Sequence, residues 1–286
     1  MIRFGAPVFC ENANNYNDPE WLVSEHKMKG YTAAYAPRLN INQTDEIKIT
    51  RETFDKAGIM ISETGYWENL MDLDLDCRAK NRKAMVDTLA LAEELGAQCA
   101  VDIFGSYCQG KGDAVFNEKN FSEEAFEEAV YMARYFIDEV KPKTAYFTYE
   151  VFPFNIVDSP ESIERLIKAV DRDMFGVHLD LTNLVNCPRV YWNTAGLIND
   201  CIKRFGNRIV SCHVKDIKMR EPSVTVSFEE VIAGKGIVDF AAYINAIHKL
   251  PREVPFMLEH LSCEREYDEA AAQIRAVSKC TGVIIP

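Results

Sequence analysis

The sequence lacks any pair of cysteines at the short spacing of a redox or zinc motif. It contains nine cysteines in 286 residues, and the closest two, Cys99 and Cys108, are nine residues apart. Cys99 and Cys212 lie within apolar, strand-like runs, where a thiol behaves as a small hydrophobic group. Because an odd number of scattered cysteines does not indicate a disulfide framework, we predict reduced thiols in an intracellular protein.

Long apolar runs are also lacking. The chain has no stretch of about 18 apolar residues, which is the length that a membrane-spanning helix requires. The segment MIRFGAPVF (1–9) leads directly into a strand-like run and lacks the longer apolar region of a signal peptide. We therefore expect a cytoplasmic protein without a membrane partner.

Positive charge is scarce as well. The chain has 32 lysines and arginines against 44 aspartates and glutamates, which gives a formal net charge of -12. Such a surface repels phosphate backbones, and this argues against a nucleic-acid partner. No GxGxxG turn follows a strand, and the first junction between a strand and a helix (9–17) carries no phosphate loop, so a dinucleotide-binding fold is disfavoured.

The sequence does contain a regular alternation of β-rich and amphipathic segments. Most β-rich segments are apolar on both faces, which is typical of a parallel sheet covered by helices. The predicted strands are 2–8, 32–37, 59–65, 97–105, 144–151, 175–181, 208–216 and 255–261.

The helical segments between these strands have recognisable ends. Asp18 and Ser159 are followed by proline at the first helical position, and Gly30 and Gly96 end two helices. The predicted helices are 18–30, 45–57, 77–96, 121–142, 159–170, 194–205, 239–250 and 267–280.

Eight β–α units at intervals of about 30 to 45 residues predict an α/β fold, specifically a (β/α)₈ TIM barrel. No linker or low-complexity tract divides the chain, so we predict a single domain over 1–286. A doubly wound open sheet is the competing arrangement.

A polar residue stands at the end of each of the last four predicted strands. These residues are Glu150, Asp180, His213 and Glu259, separated by 30, 33 and 46 residues. Active sites of such barrels form at the carboxyl ends of the strands, and neighbouring strands are about 4.8 Å apart. We therefore expect the four side chains to converge on one point.

Three carboxylates and one imidazole form a donor set rich in oxygen, which suits Mn²⁺, Mg²⁺ or Co²⁺ better than a thiolate-rich zinc site. We expect a divalent metal ion, with Mn²⁺ as the first choice and Mg²⁺, Co²⁺ or Zn²⁺ as alternatives. A divalent cation would also offset the repulsion among buried carboxylates. Taken singly, each carboxylate has a competing interpretation as a helix cap or ion-pair partner, and His213 as a core histidine. Four such residues at successive strand ends favour a metal site.

This pattern resembles the xylose isomerase-like superfamily of sugar isomerases and epimerases. The resemblance comprises Glu150, Asp180, the His-x-x-Asp of 213–216 and Glu259, together with GKGIVDF (234–240) and GYWENL (65–70). It implies a (β/α)₈ barrel that binds one catalytic divalent metal through Glu150, Asp180, His213 and Glu259. It also implies that Glu150 and Glu259 act as acid and base on opposite faces of a substrate that passes through an enediolate.

Two positions depart from ketose epimerases of this group. Asn183 stands where many relatives have a substrate-binding histidine, and Met219 stands where they have an arginine, with Arg220 one residue later. These departures argue against a hexulose 3-epimerase in particular. Asn183 and Arg220 remain candidate substrate contacts.

Other candidate substrate contacts are Tyr66 and Trp67, which follow the third strand, and Lys215, which shares strand parity with His213. Each has a competing structural role, as a packed loop aromatic or a solvated lysine. By parity, His178 points into the barrel one layer below Asp180 and is either a partner of the ligands or a structural histidine. His260 is expected to face the helices, and His26 the surface.

The leading hypothesis is a metal-dependent isomerase or epimerase acting on a sugar or polyol carbonyl compound. The resemblance leaves open a lyase on the same site, either a keto-inositol dehydratase or the large subunit of a C-glycoside deglycosidase. The deglycosidase would need a small β-sandwich partner subunit; otherwise a homo-oligomer is expected. An endonuclease IV type of nuclease and an inactive sugar-binding homologue are less favoured, because histidines are few and the ligand quartet is intact.

Overall fold

The computed structural model describes residues 1–10, 13–111, 117–222 and 224–285. Parallel strands alternate with helices along these ranges. The strands are β1 (Ile2–Gly5), β2 (Ala33–Ala34), β3 (Met60–Ile61), β4 (Glu63–Gly65), β5 (Cys99–Asp102), β6 (Tyr146–Tyr149), β7 (Val177–Asp180), β8 (Ile209–Val214), β9 (Asp216–Met219), β10 (Phe228–Val231) and β11 (Val254–Leu258). The α-helices are α1 (Pro19–Met28), α2 (Thr44–Ala57), α3 (Leu75–Leu95), α4 (Glu123–Val140), α5 (Pro160–Val170), α6 (Pro188–Tyr191), α7 (Thr194–Phe205), α8 (Phe240–His248) and α9 (Glu264–Thr281).

The parallel strands follow one another in a ring. One sheet has the order β3, β2, β1, β11, β8, β7, and a second has the order β4, β5, β6. Strands β3 and β4 are separated only by Ser62, and the parallel bridges Phe147 to Phe175 and Glu150 to His178 join β6 to the β7 side. The hydrogen bonding therefore continues around eight strand positions, as a (β/α)₈ barrel requires.

The long helices form a second layer. Each contacts the next along the chain, with α5 meeting α7 across the short α6. Strands β5, β7, β8 and β11 are buried at every residue, which agrees with their apolar character on both faces. The hydrophobic core thus occupies the barrel and the space between strands and helices.

Local sequence explains where several helices begin and end. The Asp18 carboxylate accepts hydrogen bonds from the amides of Glu20 and Trp21 at the start of α1. Ser159 and Ser162 form a reciprocal capping box at the start of α5. Such caps satisfy amides that have no partner within the helix.

The predicted runs extend beyond the observed strands, because many residues of the loops that follow are also buried and apolar and therefore resemble strand residues in sequence. The helix predicted over 194–205 has the same bounds in the structure. The antiparallel hairpin of β9 and β10, which follows β8, was not predicted. Within the described ranges, no helix is both long and apolar enough to cross a bilayer, and no disulfide links the cysteines.

Candidate metal centre

The four predicted metal ligands converge at the carboxyl end of the barrel. Glu150 follows β6, Asp180 ends β7, His213 lies near the end of β8 and Glu259 follows β11. One ligand atom from each lies within 4.8 Å of those from the other three. The convergence follows from the ring order, since β6, β7, β8 and β11 are neighbours and the register pairs Asp180 with His213.

The Nδ1 atom of His213 lies at the centre of the carboxylates. It is 2.8 Å from Oε2 of Glu259, 3.2 Å from Oε1 of Glu150 and 3.8 Å from Oδ2 of Asp180. His213 and Asp180 are almost completely buried, and Glu259 is the most accessible of the four. The cluster is therefore shielded from solvent on its barrel side and most accessible at Glu259.

Burial and mutual charge shift the pKa values of these groups in different directions. Burial, reinforced by the charge of Glu259, raises the pKa of Glu150 to about 7. Burial also acts to raise the pKa of Glu259, but the charge of His213 outweighs it and lowers that pKa to about 2. Burial acts to lower the pKa of His213, yet the surrounding carboxylates, led by Glu259, raise it well above its usual range.

Lys215 is a buried cation within the same cluster. Its Nζ lies 2.7 Å from Oδ2 of Asp180 and 3.3 Å from Oε2 of Glu259. Burial acts to lower the pKa of Lys215, but these carboxylates raise it above its ordinary value. The positive charge of the ammonium partly compensates the negative charge of the carboxylates. Lys215 therefore lies at the site, where the sequence predicts it.

The donor set and its geometry fit a divalent cation. Oδ2 of Asp180 and Oε2 of Glu259 are buried, and their close contacts with Lys215 Nζ and His213 Nδ1 lack hydrogen-bond geometry. Two ligand atoms that each lie about 2.1 to 2.4 Å from one ion are at most about 4.8 Å apart. Glu150, Asp180, His213 and Glu259 would therefore hold the ion together.

Two other groupings of potential ligands lie deeper in the barrel. One consists of Glu63, Cys99 and His178, and the other shares Glu150 and His213 with the cluster at the mouth. Burial raises the pKa of the Cys99 thiol well above its usual range, which opposes the thiolate form that binds metals. The grouping at the mouth is thus the best metal site among the described residues.

Glu63 contacts the cluster, although the sequence analysis did not select it. It lies in β4 and is buried, with Oε1 3.1 Å from Nε2 of His213. The available signal was the same as for the other carboxylates, since Glu63 is a charged residue near the end of the apolar third strand. Glu63 precedes the last four strands, from which the candidate ligands were taken.

Of the candidate substrate contacts, Asn183 and Trp67 border the cluster. The Asn183 side chain accepts from Lys215 Nζ at 3.3 Å and donates to the carbonyl of Val151 at 3.0 Å. The Trp67 ring centroid is 6.3 Å from that of His213. Asn183 and Trp67 therefore reach the region above the metal ligands.

Tyr66 and Arg220 are not brought to the cluster. The Tyr66 hydroxyl hydrogen-bonds to Oδ1 of Asn81 in α3 at 3.1 Å, so the ring points between strand and helix. Arg220 is exposed at the end of β9, where its guanidinium lies 3.4 Å from Glu229. Tyr66 and Arg220 both follow the end of a strand, where the backbone changes direction. The alternation of side chains along a strand does not predict where these residues point.

Three histidines outside the ligand set were also assigned an orientation. His178 is fully buried inside the barrel, as predicted, with its ring 4.0 Å from that of His213 at 88°. The prediction for His260 is wrong: its Nε2 lies 3.2 Å from Glu259, because β11 ends at Leu258 and His260 adopts a φ of 57°. The prediction for His26 is also wrong, because His26 is buried and its Nδ1 is 2.7 Å from the carbonyl of Leu22.

A cavity of about 530 Å³ is lined by residues that follow β1 and β2. Tyr16, Tyr35 and Arg38 are among its lining residues, and the Tyr35 ring lies 6.3 Å from that of His213. A volume of this size accommodates a small polar molecule.

The fold and the site define a (β/α)₈ barrel with a carboxylate and histidine cluster at the carboxyl ends of its strands. The family model described as xylose isomerase-like TIM barrel matches residues 26–277. The chain therefore belongs to the xylose isomerase-like TIM barrel family. A comparison with curated proteins found no match.

Solved structures with the same fold have diverse activities. A D-psicose 3-epimerase from Clostridium cellulolyticum H10, solved with D-tagatose, is 14% identical (TM-score 0.69; 98% of this chain and 99% of the epimerase). A xylose isomerase-like TIM barrel protein from Mycobacterium smegmatis in complex with magnesium is 17% identical (TM-score 0.66; 93% and 89%). Endonuclease IV from Thermus thermophilus is also 17% identical (TM-score 0.67; 97% and 99%). At these identities, the likeness establishes the fold alone.

Proposed function

We propose that this protein is a divalent-metal-dependent isomerase or epimerase that acts on a sugar or sugar-like polyol carbonyl compound. The observation that supports this most directly is the convergence of Glu150, Asp180, His213 and Glu259 within 4.8 Å at the barrel mouth. Family membership supports enzymatic activity in general, and the donor set supports a metal-assisted reaction.

The metal would be held by these four residues. When bound, a divalent cation polarises a carbonyl oxygen and stabilises the negative charge that develops on it. Mn²⁺ is our preferred ion from the oxygen-rich donor set, and the magnesium complex of a neighbouring structure makes Mg²⁺ the first alternative.

The two glutamates would move the protons. Glu150 and Glu259 stand at the two ends of the row formed by β6, β7, β8 and β11, with His213 Nδ1 between their carboxylates. A substrate lying over this row would present opposite faces to the two carboxylates. One glutamate would remove a proton from the carbon next to the carbonyl, and either the same residue or the other would return one.

Other residues of the chain would orient the substrate. Lys215 and Asn183 present an ammonium and an amide beside the cluster, where they would bind substrate oxygens. Trp67 covers the side of His213 and would pack against the carbon face of a sugar. These contacts would hold the reacting carbon between the glutamates and exclude water.

The test is proton exchange from solvent. Incubation of the protein with Mn²⁺ in D₂O and a panel of keto- and aldo-sugars should introduce deuterium at the carbon next to the carbonyl of the accepted substrate, read by NMR. Glu259→Gln should lower this exchange by about 10² or more, because a positioned acid or base contributes that much. Glu94→Gln, at an exposed position of α3, is the matched control and should exchange as the wild type does.

The same experiment separates the lyase alternative, since elimination of water or of another leaving group would convert the remaining substrate into a new unsaturated product. Exchange that persists unchanged in Glu259→Gln would contradict the proposed roles.

A further inference from the structure

We propose that Glu63 is the positioning residue for His213, holding the imidazole so that Nδ1 is the metal-binding nitrogen. This inference rests on the proposed metal site and adds to it a residue from the opposite wall of the barrel. The Glu63 carboxylate accepts the Nε2–H hydrogen of His213 and thereby raises the affinity of the site for the ion.

The two ring nitrogens of His213 contact different carboxylates. Nδ1 of His213 faces Glu150, Asp180 and Glu259, whereas Nε2 lies 3.1 Å from Oε1 of Glu63. A neutral imidazole has one protonated and one unprotonated nitrogen, and only the unprotonated one binds a metal. An ionised carboxylate only accepts hydrogen bonds, so Glu63 stabilises the tautomer with the proton on Nε2.

The second argument is the position of Glu63 in the ring. Strand β4 lies four positions from β8 in either direction around the ring, so the contact crosses the barrel interior. Glu63 is 3% exposed, and its other oxygen, Oε2, accepts a hydrogen bond from the Ser211 hydroxyl at 3.0 Å. Ser211 lies two residues before His213 on the same face of β8. The carboxylate is thus anchored to the strand that carries the ligand it orients.

The buried Glu63 carboxylate pairs with histidines and not with arginine or lysine in the described ranges. Neither ring nitrogen of His178 has a hydrogen-bond partner among the described residues, and its Nδ1 is 3.7 Å from Glu63. Arginine and lysine do not pair with Glu63 in the described ranges; the ion-pair partners of its carboxylate are the two histidines. The energetic cost of burying Glu63 is therefore offset mainly by His213. The His178 ring packs edge-on against the His213 ring.

The experiment compares the affinities of two variants for Mn²⁺ and Zn²⁺, measured by titration calorimetry. Glu63→Leu should weaken binding by about 10-fold to 100-fold, the usual loss when the hydrogen-bond partner of a ligand is removed. Glu63→Gln retains an acceptor oxygen and should recover at least half of that loss on a logarithmic scale. Thr148→Val, at another buried barrel position whose hydroxyl donates to the carbonyl of Ala100, is the packing control and should bind as the wild type does.

A spectroscopic measurement tests the tautomer directly. In the ¹⁵N NMR spectrum of the Zn²⁺-loaded wild-type protein, His213 should show a metal-bound Nδ1 and a protonated Nε2. In Glu63→Leu, the Nε2–H proton should exchange faster with solvent, because its acceptor is gone. Circular dichroism establishes that each variant is folded, and the wild-type spectrum tests the inference even if Glu63→Leu does not fold.

The outcomes separate this inference from the proposed function. Wild-type protein that is folded and takes up no divalent ion overturns both. Equal affinity of wild type and folded Glu63→Leu, or metal held by Nε2, overturns the role of Glu63 and leaves the proposed function standing.

Discussion

At the scale of single residues, the main feature is a lysine among candidate metal ligands. Lys215 Nζ lies within ion-pair distance of Asp180, Glu230 and Glu259. Its positive charge stabilises the carboxylates when no metal is bound, and it repels a cation that approaches the same oxygens. Lys215 therefore opposes the ion electrostatically while stabilising the metal-free fold.

From this we predict two opposite effects of Lys215→Met. Without added metal, the variant should lose about 3 to 5 kcal/mol of unfolding free energy, because buried carboxylates lose their partner. With saturating Mn²⁺, the rise in Tm should be larger than in the wild type, since the repulsion is gone. Differential scanning calorimetry with and without Mn²⁺ measures both effects.

The control is Lys218→Met, at an exposed position in β9. It should change neither the metal-free Tm nor the shift on adding metal. A Lys215→Met protein with the same Mn²⁺-dependent shift as the wild type would show that Lys215 does not interact with the ion.

At this scale the sequence predicts polar residues well where strands are regular. Glu150, Asp180, His213 and Glu259 were selected because charged residues at successive strand ends are costly without a shared role. His260 was misplaced because strand parity stops where the backbone turns at Leu258. The same criterion selects Glu63 near the end of the third predicted strand, but its contact with His213 follows only from the ring order, which no single segment specifies.

At the scale of elements, Asp216 fixes the segment between β10 and α8. Its carboxylate accepts hydrogen bonds from the amides of Gly234, Gly236 and Val238 at 2.8 to 3.1 Å, as well as from Ile217 at 2.9 Å. Four bonds to one carboxylate explain why aspartate follows His213 by three residues. The same contacts place the β9–β10 hairpin beside the candidate metal ligands.

Close packing also explains a glycine in this segment. A Cβ on Gly236 would lie 2.2 Å from Oδ1 of Asp216 and 2.4 Å from the carbonyl oxygen of Ile217. Neither atom can move without breaking the bonds that Asp216 makes. The Gly-x-Gly pattern in the sequence is therefore a packing requirement at its second glycine.

We predict that Gly236→Ala lowers the unfolding free energy by about 2 kcal/mol or more, because the new methyl group displaces a buried, hydrogen-bonded carboxylate. Urea denaturation followed by circular dichroism measures the change. Lys235→Ala, one residue earlier and partly exposed, is the control and should lose less than about 1 kcal/mol, as expected for a surface ion pair. Equal stability of Gly236→Ala and the wild type would contradict the close approach of residue 236 to Asp216 and Ile217.

Element boundaries were predicted best where capping is strong. Helix α7 has the bounds that the sequence predicts, and α5 begins at Pro160 after its Ser159 cap. The β9–β10 hairpin is not predicted because its two short strands mix apolar and charged residues and only Asp216 and Ile217 are buried. Because apolar periodicity indicates burial, it does not predict the partly exposed strands of such a hairpin.

At the scale of the whole molecule, the alternation of apolar strands and capped helices was sufficient to predict the (β/α)₈ fold. Family membership confirms that fold class. The net charge of -12 weighs against nucleic-acid chemistry even though endonuclease IV shares the fold. The identity of the substrate depends on loop side chains around the cavity, whose arrangement periodicity does not encode.

In the proposed function, one divalent ion is shared by four side chains at the barrel mouth. The most direct measurement is anomalous diffraction from crystals of the protein grown with Mn²⁺. We predict a single strong peak per chain at the barrel mouth, within about 2.0 to 2.6 Å of Glu150, Asp180, Glu259 and Nδ1 of His213. Well-ordered crystals with saturating Mn²⁺ and no peak among these four residues would contradict the central claim.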